Sequence, residues 1–186
     1  MFYWFYRHLD INIFQYISVR AGISFIIAFL LTMFLLPKFI KWAKSKNASQ
    51  PIYEHAPEGH QEKAGTPTMG GMVFIFATII ATLLSAKLNN FYIIGGLVTI
   101  GLFSLIGIQD DYSKIAKNQN SAGLSAKAKL LLQFICAGIV GFIIYYFSHT
   151  TTLYTPFYKL PIFDMGIFAI LFWMLIMVAA SNAVNL

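Results

Sequence analysis

Three short polar patches in this sequence have residue types suited to handling phosphate. The first is Gly65–Gly71, reading GTPTMGG, with Lys63 just upstream. Glycines and a proline together let a backbone turn tightly and come close to a ligand. A lysine beside exposed amides can hold a diphosphate as a point charge. The same string also reads as a plain helix start, with Thr66 or Thr68 as the cap and Pro67 in the first turn. The second patch is the pair Asp110 and Asp111, at the carboxyl end of an apolar stretch. A helix dipole disfavours acids there, so an attached cation or a catalytic duty is the more economical explanation. Consecutive helical residues diverge by about 100°, so one acid can face a metal while the other faces a nucleophile or orders the loop. The plainer alternative is a solvated acid pair partnered by Lys114. The third patch is Asn182 and Asn185, three apart and hence on one helical face. Amides in such a setting bond either a neighbouring helix or a ligand. His55 and His60, with Glu54, Glu58 and Glu62, are too irregularly spaced for a zinc motif and read as solvated surface.

The elements that must position these patches follow from composition. Of 186 residues, 58% are hydrophobic and 11% charged, which excludes an ordinary water-soluble enzyme. The formal charge of +6 comes without a dense basic run, so it reads as membrane topology rather than a nucleic-acid footprint. The lone Cys136 rules out an internal disulfide and a Cys-cluster metal site. Crossing about 30 Å of hydrocarbon takes roughly 20 apolar residues. Five stretches come close: 23–40, 71–86, 91–108, 130–147 and 165–186.

The expected architecture is therefore an all-α, polytopic helical bundle forming a single membrane domain. Residues 1–19, with Phe2, Trp4, Leu9, Ile13, Phe14 and Ile17 interrupted by polar groups, read as an interfacial segment or a frayed terminus. Lysines concentrate in two connections, 41–70 and 109–129, whereas the opposite side holds Arg7, Arg20, Lys87 and Lys159. That asymmetry makes the two lysine-rich loops cytoplasmic and the amino terminus periplasmic. The outer connection from Ser148 to Asp164 is β-branched and turn-rich and suits a short hairpin.

With this topology all three patches reach the inner membrane face. A cationic loop, a glycine-rich turn and a carboxylate pair at a water–lipid boundary suit phosphoryl transfer between a soluble phosphate ester and a lipid phosphate. Mg²⁺ prefers carboxylate and phosphate oxygens and neutralises the charge that develops.

The strings PEGHQEKAGTPTMGG (57–71), DDYSK (110–114), GLSAKAKLLLQ (123–133) and SNAVNL (181–186) resemble the bacterial phospho-N-acetylmuramoyl-pentapeptide transferases, the MraY family. These form a branch of the polyprenyl-phosphate N-acetylhexosamine-1-phosphate transferase superfamily. The resemblance implies transfer of phospho-MurNAc-pentapeptide from UDP-MurNAc-pentapeptide to undecaprenyl phosphate, giving lipid I and UMP for peptidoglycan. It further implies Mg²⁺, a homodimer in the bacterial inner membrane and a fold of about ten transmembrane helices, of which five are here. By position it assigns Lys63, Thr68, Asn182 and Asn185 to substrate binding. It makes Asp110 the base for the lipid phosphate and Asp111 the support for metal or substrate geometry. Tyr53–Pro57 and Ala122 depart from the family pattern, which touches loop contacts. The family continues past the position of Leu186 into a TDGxDG string and further metal and histidine ligands, so residues 1–186 alone are expected to be inactive.

Two other readings are a related GlcNAc-1-phosphate transferase, against which the GTPTMGG context argues, and a non-enzymatic cation transporter component. A carrier would hold its ionisable site near the bilayer midplane, whereas this acid pair lies at the edge of its apolar stretch.

Overall fold

A computed structural model describes residues 2–46, 69–117, 119, 122–148, 151–155 and 157–183. Its helices are α1 (Phe2–Leu9), α2 (Ile17–Ser45), α3 (Gly71–Ser85), α4 (Phe91–Lys117), α5 (Ala126–Ser148) and α6 (Phe168–Asn182), with a 3-10 turn at Asn12–Gln15. An antiparallel pair, β1 (Thr152–Thr155) and β2 (Tyr158–Asp164), joins α5 to α6. The polytopic helical class and the hairpin of the sequence reading are both present. Helices α2, α4 and α5 are long and apolar enough to cross a membrane, while α3 and α6 are shorter apolar helices.

The helices extend past the apolar stretches that announce them. The sequence reading closed the third span at Ile108 and gave 109–129 to a loop. Instead, α4 continues to Lys117, so 109–117 is helical. The segment QDDYSKIAK contains no glycine or proline, and its polar groups pair one turn apart: Lys114 with Asp110, and Ser113 with Gln109. Hydropathy marks where water begins, not where a helix stops. The same reason starts α5 at Ala126 rather than Leu130, with the Ser125 hydroxyl accepting the Ala128 amide at 3.2 Å. Conversely, α6 starts at Phe168 rather than Met165, because Gly166 takes a left-handed φ of +52° in the turn that leaves β2.

The chain divides into two compact units. The first comprises Met1–Leu88 with Gly107–Leu124, the second Asn89–Ile106 with Ser125–Leu186. In the first, α3 buries Val73, Ala77, Ala81 and Ser85, a stripe repeating every fourth residue, and packs on α2. The amino-terminal segment folds back on the start of α2, where buried Arg20 donates to the carbonyls of Phe14 and Gln15 at 2.5 and 2.7 Å. Arg20 and Lys87 each lie 5.2 Å from the Tyr3 ring. The start of α2 and the far end of α3 therefore share one end of this unit, as the lysine and arginine distribution required.

In the second unit α5 packs on α6 through Gln133, Ala137, Val140 and Gly141. A Cβ added at Gly141 would sit 3.3 Å from Ile170 Cγ2, and one at Gly138 would sit 3.4 Å from Met174 Cε. Throughout, alanines 43, 77, 81, 137 and 169 are fully buried while phenylalanines 25, 29, 34, 142 and 168 are exposed. That inversion fits a hydrocarbon solvent, in which small residues let helices approach and large ones face lipid. Gly141→Leu is expected to destabilise the detergent-solubilised protein by about 1–3 kcal/mol through overpacking. Leu in place of exposed Phe142 should leave the thermal midpoint within about a degree.

Candidate functional site

The site is built on the carboxyl-terminal third of α4. Asp110 is only 5% exposed, and a carboxylate at that depth needs partners for its charge. Lys114, one turn on, donates from Nζ to Oδ2 at 2.8 Å, a partly buried ion pair. Beyond Lys117 the chain returns, and the Leu124 amide donates to Oδ1 at 2.8 Å. This return depends on Gly123, because a Cβ there would lie 2.5 Å from Asp110 Oδ1 and 2.6 Å from Lys114 Cε. The clamp thus includes a charged donor, a backbone donor and a residue at which a side chain would displace Asp110 or Lys114.

These contacts correct one premise of the sequence reading. Asp110 and Asp111 do not end their helix, since about two turns follow them, and the dipole term that falls off within the last turn does not bear on them. Of the divided duties foreseen for the pair, Asp110 takes the ordering of the loop, and the Lys114 pairing of the plainer alternative is present on it. Asp111 is half-buried.

In the second unit, Asn182 donates from Nδ2 to Gln133 Oε1 and to the Val178 carbonyl, each at 2.8 Å. The interhelical amide bond expected of such a residue is therefore made, to a partner on α5. Among the described residues its Oδ1 receives no donor. Lys63, Thr68 and Asn185 lie outside the described residues.

At the glycine-rich turn, the N-cap of α3 is Gly70, with no side-chain cap, so neither Thr66 nor Thr68 occupies that position. The left-handed residue of the turn is Met69, at φ +67°, while Gly70 is right-handed. A Cβ on Gly71 would meet nothing within 4 Å, and one on Gly70 only Leu36 Cδ1 at 3.8 Å. Among the described residues, neither backbone conformation nor crowding demands these glycines. This turn and the Asp110 clamp belong to one unit and Asn182 to the other.

Among the described residues no three of His, Cys, Asp and Glu converge as a metal cage. The acid pair nonetheless fits Mg²⁺, which is held by one or two carboxylates together with substrate phosphates rather than by an all-protein cage.

Sequence reasoning missed Gly123, the Leu124 amide and Gln133. A lone amide early in an apolar span was a legible sign for Gln133. No spacing rule joins Gly123 to Asp110, thirteen residues earlier, because the fold-back creates their contact. Gly123→Ala is expected to lower stability by about 1–3 kcal/mol as the carboxylate and ammonium are pushed apart. Gly107→Ala on the same helix, where a Cβ meets nothing within 4 Å, should be neutral or stabilising by up to about 1 kcal/mol. Thermal unfolding in detergent distinguishes the two.

Residues 93–186 match the model of glycosyl transferase family 4. Residues 63–75 match the first phospho-N-acetylmuramoyl-pentapeptide-transferase signature, so Lys63, Thr68 and the glycine turn fall inside that signature. The chain is 69% identical over 186 residues to the phospho-N-acetylmuramoyl-pentapeptide-transferase of Aliarcobacter butzleri. It is 56% identical over 187 to that of a Nitratiruptor species and 55% identical to that of Sulfurimonas denitrificans. In each case the alignment covers 100% of this chain and 53% of the relative, so the chain spans about half the length of the curated relatives it matches.

Proposed function

The chain belongs to glycosyl transferase family 4, and from that membership we propose that it supplies the amino-terminal half of a phospho-N-acetylmuramoyl-pentapeptide transferase. In this reading the phosphate oxygen of undecaprenyl phosphate attacks the sugar-bearing phosphorus of UDP-MurNAc-pentapeptide. The bond from that phosphorus to the UMP oxygen breaks, UMP leaves, and the new phosphate–phosphate bond makes lipid I. The observation that carries it is a buried, clamped carboxylate beside a second one, on the polar extension of an otherwise apolar helix. A cation carrier would need its acid within the apolar stretch. In α4 the pair follows that stretch, at the depth where a lipid phosphate meets water.

The residues divide the work as follows. Lys63, Thr68 and the start of α3 receive the diphosphate, a lysine charge and helix amides being matched to phosphate oxygens. Lys114 turns from Asp110 toward the incoming lipid phosphate, while the Leu124 amide keeps Oδ1 in register. Asp110 then takes the proton of the lipid phosphate, leaving a better nucleophile. Asp111 would hold Mg²⁺, whose chemistry when bound is to neutralise charge developing on the transferred phosphate. Asn182 and Asn185 are assigned to the nucleotide sugar, and among the described residues the Oδ1 of Asn182 has no donor. The protein works as an inner-membrane homodimer with its amino terminus periplasmic and this site cytoplasmic.

Asp110→Asn tests the assignment, because asparagine still accepts from the Leu124 amide but carries no charge and no useful basicity. At the full length of its relatives, the variant should lose at least about a hundredfold in Mg²⁺-dependent UMP release while its elution profile in detergent stays that of the folded protein, with a thermal midpoint lowered by loss of the ion pair. Undiminished turnover by the folded variant would remove Asp110 as the base.

A further inference from the structure

At the α5–hairpin–α6 junction, away from the transferase residues, Tyr145, Tyr146, Thr151, Asp164 and Gly166 line a cavity of about 340 Å³. Its carboxylate is oriented from one side. Asp164 Oδ1 accepts the Thr151 hydroxyl and, at 3.0 Å, the Gly166 amide, and the strand pairing of Thr152 with Asp164 fixes the backbone between them. The Thr151 hydroxyl, and after it the Gly166 amide, hold the Asp164 carboxyl below its ordinary value, so the group is ionised at neutral pH. Among the described residues no cation is paired with it, and neither lysine nor arginine lines the cavity.

The wall composition selects the ligand. A carboxylate repels anions, a single carboxylate is a poor site for Mg²⁺ or Ca²⁺, and a purely apolar guest would leave the charge unused. A carboxylate beside two tyrosines is suited to an organic ammonium, which uses both the charge and the aromatic faces. The surroundings select its source. Tyr145 and Tyr146 lie in the last turn of the apolar, 23-residue α5, where tyrosines mark the membrane–water boundary. The adjoining hairpin exposes Phe157 almost entirely, along with Tyr158, Leu160, Ile162 and Phe163, an apolar surface suited to the acyl margin. The volume is at the lower end of small-molecule sites, enough for a headgroup whose acyl chains remain outside. We propose that this cavity binds the ammonium of an aminophospholipid headgroup, with Asp164 as the counter-charge. The proposal is independent of the transferase reading and survives if that reading fails.

The test is competitive lipid retention, read by native mass spectrometry, for the protein at the full length of its relatives in nanodiscs of equal phosphatidylethanolamine and phosphatidylglycerol. Wild type should retain phosphatidylethanolamine preferentially, and Asp164→Asn should reduce that preference about tenfold, as expected for losing one charge-assisted contact. Tyr146→Leu leaves the carboxylate in place and should reduce it about threefold. This second variant keeps the test decisive if Asp164→Asn does not fold. Equal retention of the two lipids by wild type, or unchanged preference in either folded variant, overturns the proposal. So does displacement of the lipid by excess soluble phosphoethanolamine, which would assign the cavity to a free amine.

Discussion

Hydrocarbon gives helices no hydrophobic reason to associate, and every contact in this protein answers to that constraint. Lipid chains are as apolar as leucine, so helices gain by close van der Waals approach and by the few polar bonds they can make between themselves. The buried positions along these helix faces are accordingly small, on the Val73–Ala77–Ala81–Ser85 stripe of α3 and the Ala137–Val140–Gly141 face of α5. Phenylalanines and leucines, which would form the core of a soluble domain, point outward. An interhelical amide pair, Gln133 with Asn182, stands beside that small-residue seam. It fixes which face of α6 meets α5, a choice that alanines and glycines alone leave loosely defined.

Asp110 shows the same constraint acting on a charge. Removing either partner from a buried ion pair leaves an uncompensated charge, a loss of roughly 3–5 kcal/mol, so the carboxylate imposes conditions on sequence it does not touch directly. It requires a lysine one helical turn later, a helix that continues far enough to present that lysine, and a loop that comes back with a glycine where it passes. The extension of α4 beyond its apolar stretch is therefore part of the site. Were the helix to stop at Ile108, neither Lys114 nor the Leu124 amide could reach the carboxylate in this arrangement.

Much of this was legible beforehand, and the illegible part has a common cause. Apolar stretches gave the order of α2 to α6, and the β-branched run near Thr152 gave the hairpin. The distribution of basic residues put Arg20 and Lys87 together, and they meet on the ring of Tyr3. What hydropathy concealed were the ends, because helix-forming polar residues carry α2, α4 and α5 past the lipid boundary. The acid pair was visible as an anomaly, but its explanation was misplaced onto a helix terminus that lies two turns further on. The glycine string likewise drew attention for its backbone freedom, whereas the left-handed conformation belongs to Met69 and a Cβ on Gly70 or Gly71 would meet no crowding. Contacts made by a returning loop, such as Gly123 against Asp110, follow from no local period.

The two structured carboxylates, Asp110 and Asp164, differ in a way that burial alone explains. Each has one oxygen held by a backbone amide, from Leu124 in one case and from Gly166 in the other. Asp110, nearly inaccessible, also carries its own cation, because a charge at low dielectric cannot wait for one to arrive. Asp164 is exposed and water stabilises it, so the chain need not supply a lysine. A built-in cation makes a carboxylate a fixed part of the scaffold until something with a stronger claim draws the lysine away. The proposed transfer exploits this, since a phosphate is such a competitor. A carboxylate oriented by neutral donors instead keeps its charge available to a mobile partner, and at a membrane boundary lined with tyrosine the mobile cations include headgroup ammonium ions. Burial thus separates the acid proposed to work by releasing its own counter-ion from the one proposed to work by acquiring one.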